Sequence, residues 1–158
     1  MKEKGIGEIL SRFHHVGVLV KNMEEAIDYY QAMGIGPFEP MGLVATGRKL
    51  YGRPVTDTTN VAKVTTKGPI TIELVQPVSG ESVQKEWLES KGEGINHICF
   101  AVDDIEEATS IMTEEGFKVI SSADFAGGGG MAYFDTDKVG GFQIELLKVP
   151  THISEEPV

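Results

Sequence analysis

Two stretches of the chain carry the same pattern, 82 residues apart (97 − 15). The copies are residues 13–35 (FHHVGVLVKNMEEAIDYYQAMGI) and residues 95–117 (INHICFAVDDIEEATSIMTEEGF). A second echo follows each copy, where residues 71–74 (TIEL) are matched by residues 143–146 (QIEL). A module of about 70 residues buries too little surface to be stable alone. The repeat therefore predicts one domain built from two similar halves.

Each copy begins with a histidine on a predicted strand and ends with a glutamate on another. In TIELV and QIELL the glutamate lies on the strand face opposite two aliphatic residues. A carboxylate in an apolar strand must be exposed, paired or ligating, because an isolated buried charge is costly. A single histidine on a strand more often packs in the core or makes a hydrogen bond than binds a metal. A duplicated fold needs to keep only its apolar pattern, its glycines and its helix caps. This duplication also repeats the histidine and the glutamate, which favours a role as ligands.

Two imidazoles and two carboxylates form an N2O2 donor set that suits one divalent ion such as Zn, Co, Ni or Mn. The two negative charges balance the charge of the ion. We therefore predict one metal ion per chain, held by His15, Glu73, His97 and Glu145.

Composition excludes several classes of partner. The 158 residues are 41% hydrophobic and carry a formal charge of −10, with a pI near 4.8. Acidic surfaces do not bind phosphate backbones, so we expect neither nucleic acid nor an anionic membrane as a partner. No apolar run reaches transmembrane length, and the polar first residues do not resemble a signal peptide. The single Cys99 cannot form an internal disulfide, so we expect a cytoplasmic protein.

The chain order predicts strand, helix and further strands in each half. Asn22 is expected to cap the first helix and Asp103 or Asp104 the second, and Gly34 and Gly116 to end them. Strands are expected around residues 43–50 and 60–66. We divide the single domain 1–158 into module one (about 13–77), a linker helix (about 81–91) and module two (about 95–148).

The segments HVGVLV, IELVQP, GEGINHICFAVDDIEEA and GGFQIELL together resemble the vicinal oxygen chelate (glyoxalase/bleomycin resistance/dioxygenase) superfamily. Within it the chain is most similar to methylmalonyl-CoA epimerase-like proteins, from Phe13 to Lys148. The resemblance implies an α+β fold of two tandem βαβββ modules that form a half-open, barrel-like cup around a metal site. It also implies a homodimer, and it assigns the same four metal ligands.

The resemblance further implies a metal-dependent epimerase or racemase. In such enzymes the metal polarises a carbonyl and stabilises the enolate formed when a base removes the neighbouring α-proton. The leading substrate is methylmalonyl-CoA or a related acyl-CoA or ketone. Glu145 is the candidate base, because the matching ligand in relatives can also take a proton; the alternative is a pure ligand.

Other functions stay open. A glyoxalase I-type lactoylglutathione lyase fits the four ligands equally well. Extradiol dioxygenases use two histidines and one carboxylate, which would leave Glu73 surplus. A metal-free sequestering protein has no need of the repeated histidine and glutamate.

One segment departs from the epimerase pattern. Methylmalonyl-CoA epimerases carry an acid on the third strand of the first module, whereas residues 60–66 (NVAKVTT) contain Lys63 as their only ionisable residue. Lys63 is the candidate for the second proton transfer, with water as the alternative. A solvated or anion-binding lysine is the simpler interpretation.

Two features predict contacts with a small, anionic substrate. Arg48 and Arg53 belong to a basic stretch whose only acid is Asp57, and they are candidates to bind the substrate; a solvated face is the alternative. The other members of this stretch are Lys49, Lys63 and Lys67. Gly128 and Gly129 lie in a run of four glycines whose backbone could approach a ligand closely, and a mobile loop is the alternative. His14 is expected on the strand face opposite His15.

Overall fold

The computed structural model describes residues 5–65 and 68–151, with the backbone only for residues 63–65. The helices of this part are α1 (Ile6–Ile9), α2 (Met23–Ala32), α3 (Val83–Lys91) and α4 (Ile105–Glu114). The strands are β1 (Phe13–Leu19), β2 (Glu39–Pro40), β3 (Ala45–Leu50), β4 (Arg53–Pro54), β5 (Asp57–Thr65), β6 (Thr71–Gly80), β7 (Gly94–Ala101), β8 (Val119–Phe125), β9 (Gly130–Phe134) and β10 (Gln143–Lys148). None of the helices described is long and apolar enough to cross a membrane.

The strands of the described residues form one curled, unclosed sheet in the order β2-β5-β6-β1-β7-β10-β9-β8-β3-β4. At its centre β1 pairs antiparallel with β7 and joins the two halves. Val16 lies opposite Ile98, which is its own counterpart in the repeat (98 − 16 = 82), so a pseudo-two-fold axis passes between them. The predicted α+β class and the half-open sheet are confirmed.

The two halves have the same order of elements. The run β1-α2-β2-β5-β6 corresponds to β7-α4-β8-β9-β10, a βαβββ module in each case. The β3–β4 hairpin is an insertion in the first half, and β3 pairs with β8 of the second half. The strand expected near residues 43–50 therefore exists, but it extends the edge of the other half of the sheet.

The helix caps repeat as well. The side chain of Asn22 accepts hydrogen bonds from the backbone N–H groups of residues 24 and 25, and that of Asp104 from those of residues 106 and 107. A cap of this kind stabilises a helix by about 1 kcal/mol. Of the two candidate caps of the second helix, Asp104 is the one used, while Asp103 pairs with Arg12.

The two faces of the second half of the sheet bury different sets of side chains. On one face Phe134 and Leu146 pack with Ala108 and Met112 of α4. Successive strand residues point to opposite faces, so the neighbouring positions Tyr133 and Leu147 look the other way. Glu145 shares that second face, where the side chains of the candidate site meet.

Candidate metal centre

Four adjacent strands each contribute one polar side chain to the same buried point. These side chains are His15 of β1, Glu73 of β6, His97 of β7 and Glu145 of β10, which are between 0% and 7% exposed. The strands β6, β1, β7 and β10 are consecutive in the sheet, so the repeat brings the four donors together across its centre. The structure thus gathers the predicted ligands, although metal ligation itself stays a prediction.

The four donor atoms face one another. The two histidine Nε2 atoms lie 3.1 Å apart, and each lies 3.2 to 3.4 Å from an Oε2 atom of Glu73 and of Glu145. Ligands about 2.0–2.1 Å from a shared ion in tetrahedral geometry are about 3.3 Å from each other. The Oε2 atom of Glu145 is buried and lies 3.3 Å from each of the two imidazole Nε2 atoms, but none of the described residues gives it a hydrogen bond of good geometry. These donors fit a divalent cation.

The carboxylates hold protons on the imidazoles when no cation balances their charge. Burial by itself would lower the pKa of His97, but the hydrogen bonds and charges of Glu145 and Glu73 outweigh it and raise that pKa to about 9. The pKa of His15 is raised for the same reasons. Burial would raise the pKa of Glu145, yet the two histidines lower it to about 2. Metal binding must therefore displace protons.

A glycine makes room for one imidazole. Gly17 faces His97 across the β1–β7 pair, and a Cβ atom at Gly17 would overlap the imidazole ring of His97. This requirement for glycine was not predicted from the sequence. The position could have been noticed, because Gly17 lies on the same strand face as His15, in a β-rich run where glycine is unfavourable.

His14 remains outside the four-donor cluster, but the expectation that it faces away from His15 is wrong. The Nδ1 atoms of the two rings lie 2.7 Å apart. The register of β1 shifts between Phe13 and His15, so His14 is the extra residue of a β-bulge. A bulge re-aims the side chain that it carries, which strand alternation alone does not anticipate.

A cavity of about 100 Å³ opens onto the cluster. His15, Glu73 and Glu145 form its polar side. The apolar lining comes from both halves of the sheet and from the loop before β3: Met41, Leu43, Val61, Val75, Phe125, Met131 and Leu147. An apolar lining of this kind lowers the local dielectric constant and so strengthens the electrostatic interactions within the site.

Tyr133 and Gln84 line the same cavity and were not predicted. The Tyr133 ring meets the His97 ring edge to face, with centroids 5.1 Å apart. Burial, with the negative charges of Glu145 and Glu73, raises the pKa of Tyr133 well above its usual value, although a hydrogen bond with Gln84 opposes this shift. Tyr133 therefore keeps its proton at neutral pH and can donate a hydrogen bond. An aromatic residue in an apolar strand carries no sequence signal for such a role.

The structure separates the two arginines of the basic stretch. Arg48 lines the cavity, and its Nε atom lies 3.2 Å from Oδ1 of Asp57, whose side chain is buried. Arg53 lies outside the cavity in an exposed ion pair with Glu81, at 3.2 Å. Grouping Arg53 with Arg48 as a substrate-binding residue is therefore not supported by its position.

The remaining candidates from the sequence are the two glycines of the glycine run and Lys63. Gly128 and Gly129 form the turn between β8 and β9 with positive φ, and they are not among the residues that line the cavity. Turn geometry accounts for both glycines. The backbone of Lys63 pairs with Glu73, but its side chain lies outside the described part of the chain, as does Lys67.

Comparison with known proteins gives a family and a fold. A sequence profile of the Glyoxalase/Bleomycin resistance/Dioxygenase superfamily matches residues 14–134. The mitochondrial methylmalonyl-CoA epimerase of Dictyostelium discoideum is 28% identical over 146 residues, which cover 89% of this chain and 81% of that protein. The uncharacterised protein YqjC of Bacillus subtilis is 22% identical and covers 88% of this chain and 93% of its own. The structure of a Streptomyces coelicolor methylmalonyl-CoA epimerase, solved with 2-nitronate-propionyl-CoA, superposes with a TM-score of 0.63 at 19% identity, over 89% of this chain and 98% of that chain. At this level of identity the similarity shows a shared fold only.

The raised pKa of His97 predicts how the stability of the metal-free protein depends on pH. A folded-state pKa of about 9, above the ordinary histidine value of 6.5, stabilises the fold fully below pH 6.5, and this contribution is lost as pH rises from 6.5 to 9. The loss is on the order of 3 kcal/mol. Urea unfolding of chelator-treated protein across this range measures it. The variant His97→Gln should show a smaller dependence, and an unfolding free energy of the parent chain that stays constant from pH 6.5 to 9 would contradict the assignment.

Proposed function

Because the chain belongs to the glyoxalase/bleomycin resistance/dioxygenase superfamily, we propose that it is a divalent-metal-dependent epimerase that inverts the carbon α to a thioester carbonyl. The leading substrate is methylmalonyl-CoA or a related acyl-CoA. The observation that carries the proposal is the meeting of two Nε2 and two Oε2 atoms at one side of a cavity that Arg48 also lines. The named function of the Dictyostelium relative and the acyl-CoA ligand of the Streptomyces protein support it.

His15, Glu73, His97 and Glu145 would hold the ion. When bound, the ion would supply Lewis-acid polarisation of the substrate carbonyl and so make the α-proton more acidic. In the proposed reaction Glu145 takes that proton, and the thioester becomes its enolate. A carboxylate that ligates an ion is a weak base, so this step would require partial release of Glu145 from the ion.

The remaining lining residues would bind and orient the substrate. The side chain of Arg48 is held by Asp57 through Nε, and it makes no other ion pair and no hydrogen bond with the described residues. Its terminal nitrogens can therefore meet a carboxylate of the substrate. Tyr133 can donate a hydrogen bond to an enolate or thioester oxygen. A cavity of about 100 Å³ accommodates an acyl group, so the nucleotide part of a CoA ester would extend outside it.

Inversion needs a second group to return a proton from the opposite face. Among the β5 side chains that the structure describes, those of Thr59 and Val61 line the cavity, and neither is an acid. Lys63, two positions further along β5, remains the candidate, with water as the alternative. The homodimer and the cytoplasmic location stay predictions.

Metal content tests the site directly. Protein purified without chelator should contain one divalent ion per chain, and His97→Ala should lose it. Gly17→Ala should also lose most of it, because a methyl group there displaces the His97 ring. Gly42→Ala is the matched control, since a Cβ atom at Gly42 meets no atom within 4 Å. Stoichiometric metal in a variant lacking both His15 and His97 would overturn the assignment.

Isotope exchange tests the reaction. Incubation of the metal-loaded protein with a methylmalonyl-type thioester in D2O should place deuterium on the α-carbon with loss of stereochemical purity. Glu145→Gln should abolish exchange even where metal remains bound, because the base is removed. Lys63→Met should slow inversion more than exchange. Conversion of the hemithioacetal of methylglyoxal and glutathione, with no exchange from any branched acyl-CoA or α-substituted ketone, would replace the epimerase by the lyase.

The two arginines provide a matched pair for substrate binding. Arg48→Gln, combined with Asp57→Asn so that no buried carboxylate loses its partner, should raise KM for an anionic thioester by about tenfold with a smaller effect on kcat. Arg53→Gln should leave both constants unchanged, because Arg53 lies outside the cavity. Steady-state kinetics with the purified holoenzyme measure both effects. An equal rise in KM for the two variants would show that the basic stretch acts only through its general surface charge and that Arg48 does not contact the substrate.

A further inference from the structure

The strand pair at the centre of the sheet contains two irregularities that are copies of each other. In β1 the register shifts at His14, and in β7 it shifts between the partners of Gly17 and Val18, which leaves Asn96 as the extra residue. The two positions correspond in the repeat (96 − 14 = 82). Each bulge thus immediately precedes a histidine of the cluster.

Each bulged residue contacts the back of the following imidazole. Oδ1 of Asn96 lies 2.9 Å from Nδ1 of His97, and Nδ1 of His14 lies 2.7 Å from Nδ1 of His15. Both contacts leave Nε2 directed at the cluster, where the two Nε2 atoms are 3.1 Å apart. The sequence keeps the geometry in both halves while changing the residue type.

The contact with Asn96 determines which nitrogen of His97 carries hydrogen. An amide oxygen only accepts, so Nδ1 of His97 must donate, and Nε2 of the neutral ring is left with its lone pair. Asn96 is fully buried, and its Nδ2 atom has no hydrogen-bond partner among the described residues. The contact of Oδ1 with His97 is therefore the side-chain hydrogen bond that the structure gives this buried amide. The same result for His15 requires His14 to accept at Nδ1.

We propose that Asn96 and His14 are positioning residues that fix the ring orientation and the tautomer of His97 and His15, so that both Nε2 lone pairs face the donor cluster. This inference rests on the proposed metal site. Groups that hydrogen-bond the far nitrogen of a ligating histidine raise metal affinity by orienting the ring and fixing its tautomer. The bulges are the structural means, because a regular strand would direct His14 and Asn96 to the opposite face.

Metal affinity of matched variants tests the proposal. Asn96→Leu keeps the approximate size of the side chain but removes the acceptor, and it should weaken Zn²⁺ or Co²⁺ binding on the order of 10–100-fold in a chelator competition. His14→Leu should act similarly. His14→Asn, which copies the arrangement of the second half, and Asn96→Asp, which keeps an acceptor, should retain affinity. Asn60→Leu, at an exposed asparagine of β5 bonded to Gln76, should change nothing. Unchanged affinity in Asn96→Leu would overturn the proposal.

A second measurement does not depend on the metal. Long-range ¹H–¹⁵N NMR of metal-free protein, recorded at a pH at which the ring nitrogen shifts of His97 are those of a neutral imidazole, reports which ring nitrogen carries hydrogen. We expect Nδ1–H for His97 in the parent chain and a shift to Nε2–H in Asn96→Leu, with melting temperatures showing that both are folded. An unchanged tautomer contradicts the positioning role. A parent chain that shows the expected tautomer but binds no divalent ion contradicts the proposed function instead.

Discussion

Two carboxylates and two imidazoles meet at a buried point at the centre of the sheet, with donor atoms 3.1 to 3.4 Å apart. Charges so close and so buried are tolerated only when each is compensated. Protons on His15 and His97 provide that compensation in the metal-free chain, and a divalent cation would provide it in the proposed enzyme. The central β1–β7 pair, the glycine beneath His97 and the bulged residues behind both rings all serve this one arrangement.

The two halves of the protein share their order of elements and their inward-facing residues, but they differ away from the pseudo-two-fold axis. Both use the same helix cap and the same strand-borne histidine and glutamate, because these positions face inward at the pseudo-two-fold axis. Away from the axis the halves diverge. The β3–β4 hairpin leaves the first half, adds to the edge strand β8 and carries Arg48 to the cavity wall, while Arg53 only five residues later ends in a surface ion pair with Glu81.

The cavity combines one very polar side with an apolar lining. Such a site suits a ligand that places charge next to the cluster and an apolar group against the side that Met41, Phe125 and Met131 line. Tyr133 links the two environments, because its ring packs on His97 and it lines the cavity together with Gln84 of the helix that connects the halves.

The sequence by itself determined the duplicated modules, the cap of the first helix and the four inward-facing donors, because these depend on periods of 2 and 3.6 residues and on a repeat that is visible along the chain. The α+β class followed from the resemblance to a known superfamily. Tertiary structure alone decided which sheet edge β3 joins, since an exposed edge can pair with any strand of suitable length. It also decided that Arg48 and not Arg53 lines the cavity, and that Tyr133 and Gln84 do so. The contacts of His14 and Asn96 belong to the same group, because a bulge is a property of cross-strand register and leaves no mark on the periodicity of a single strand.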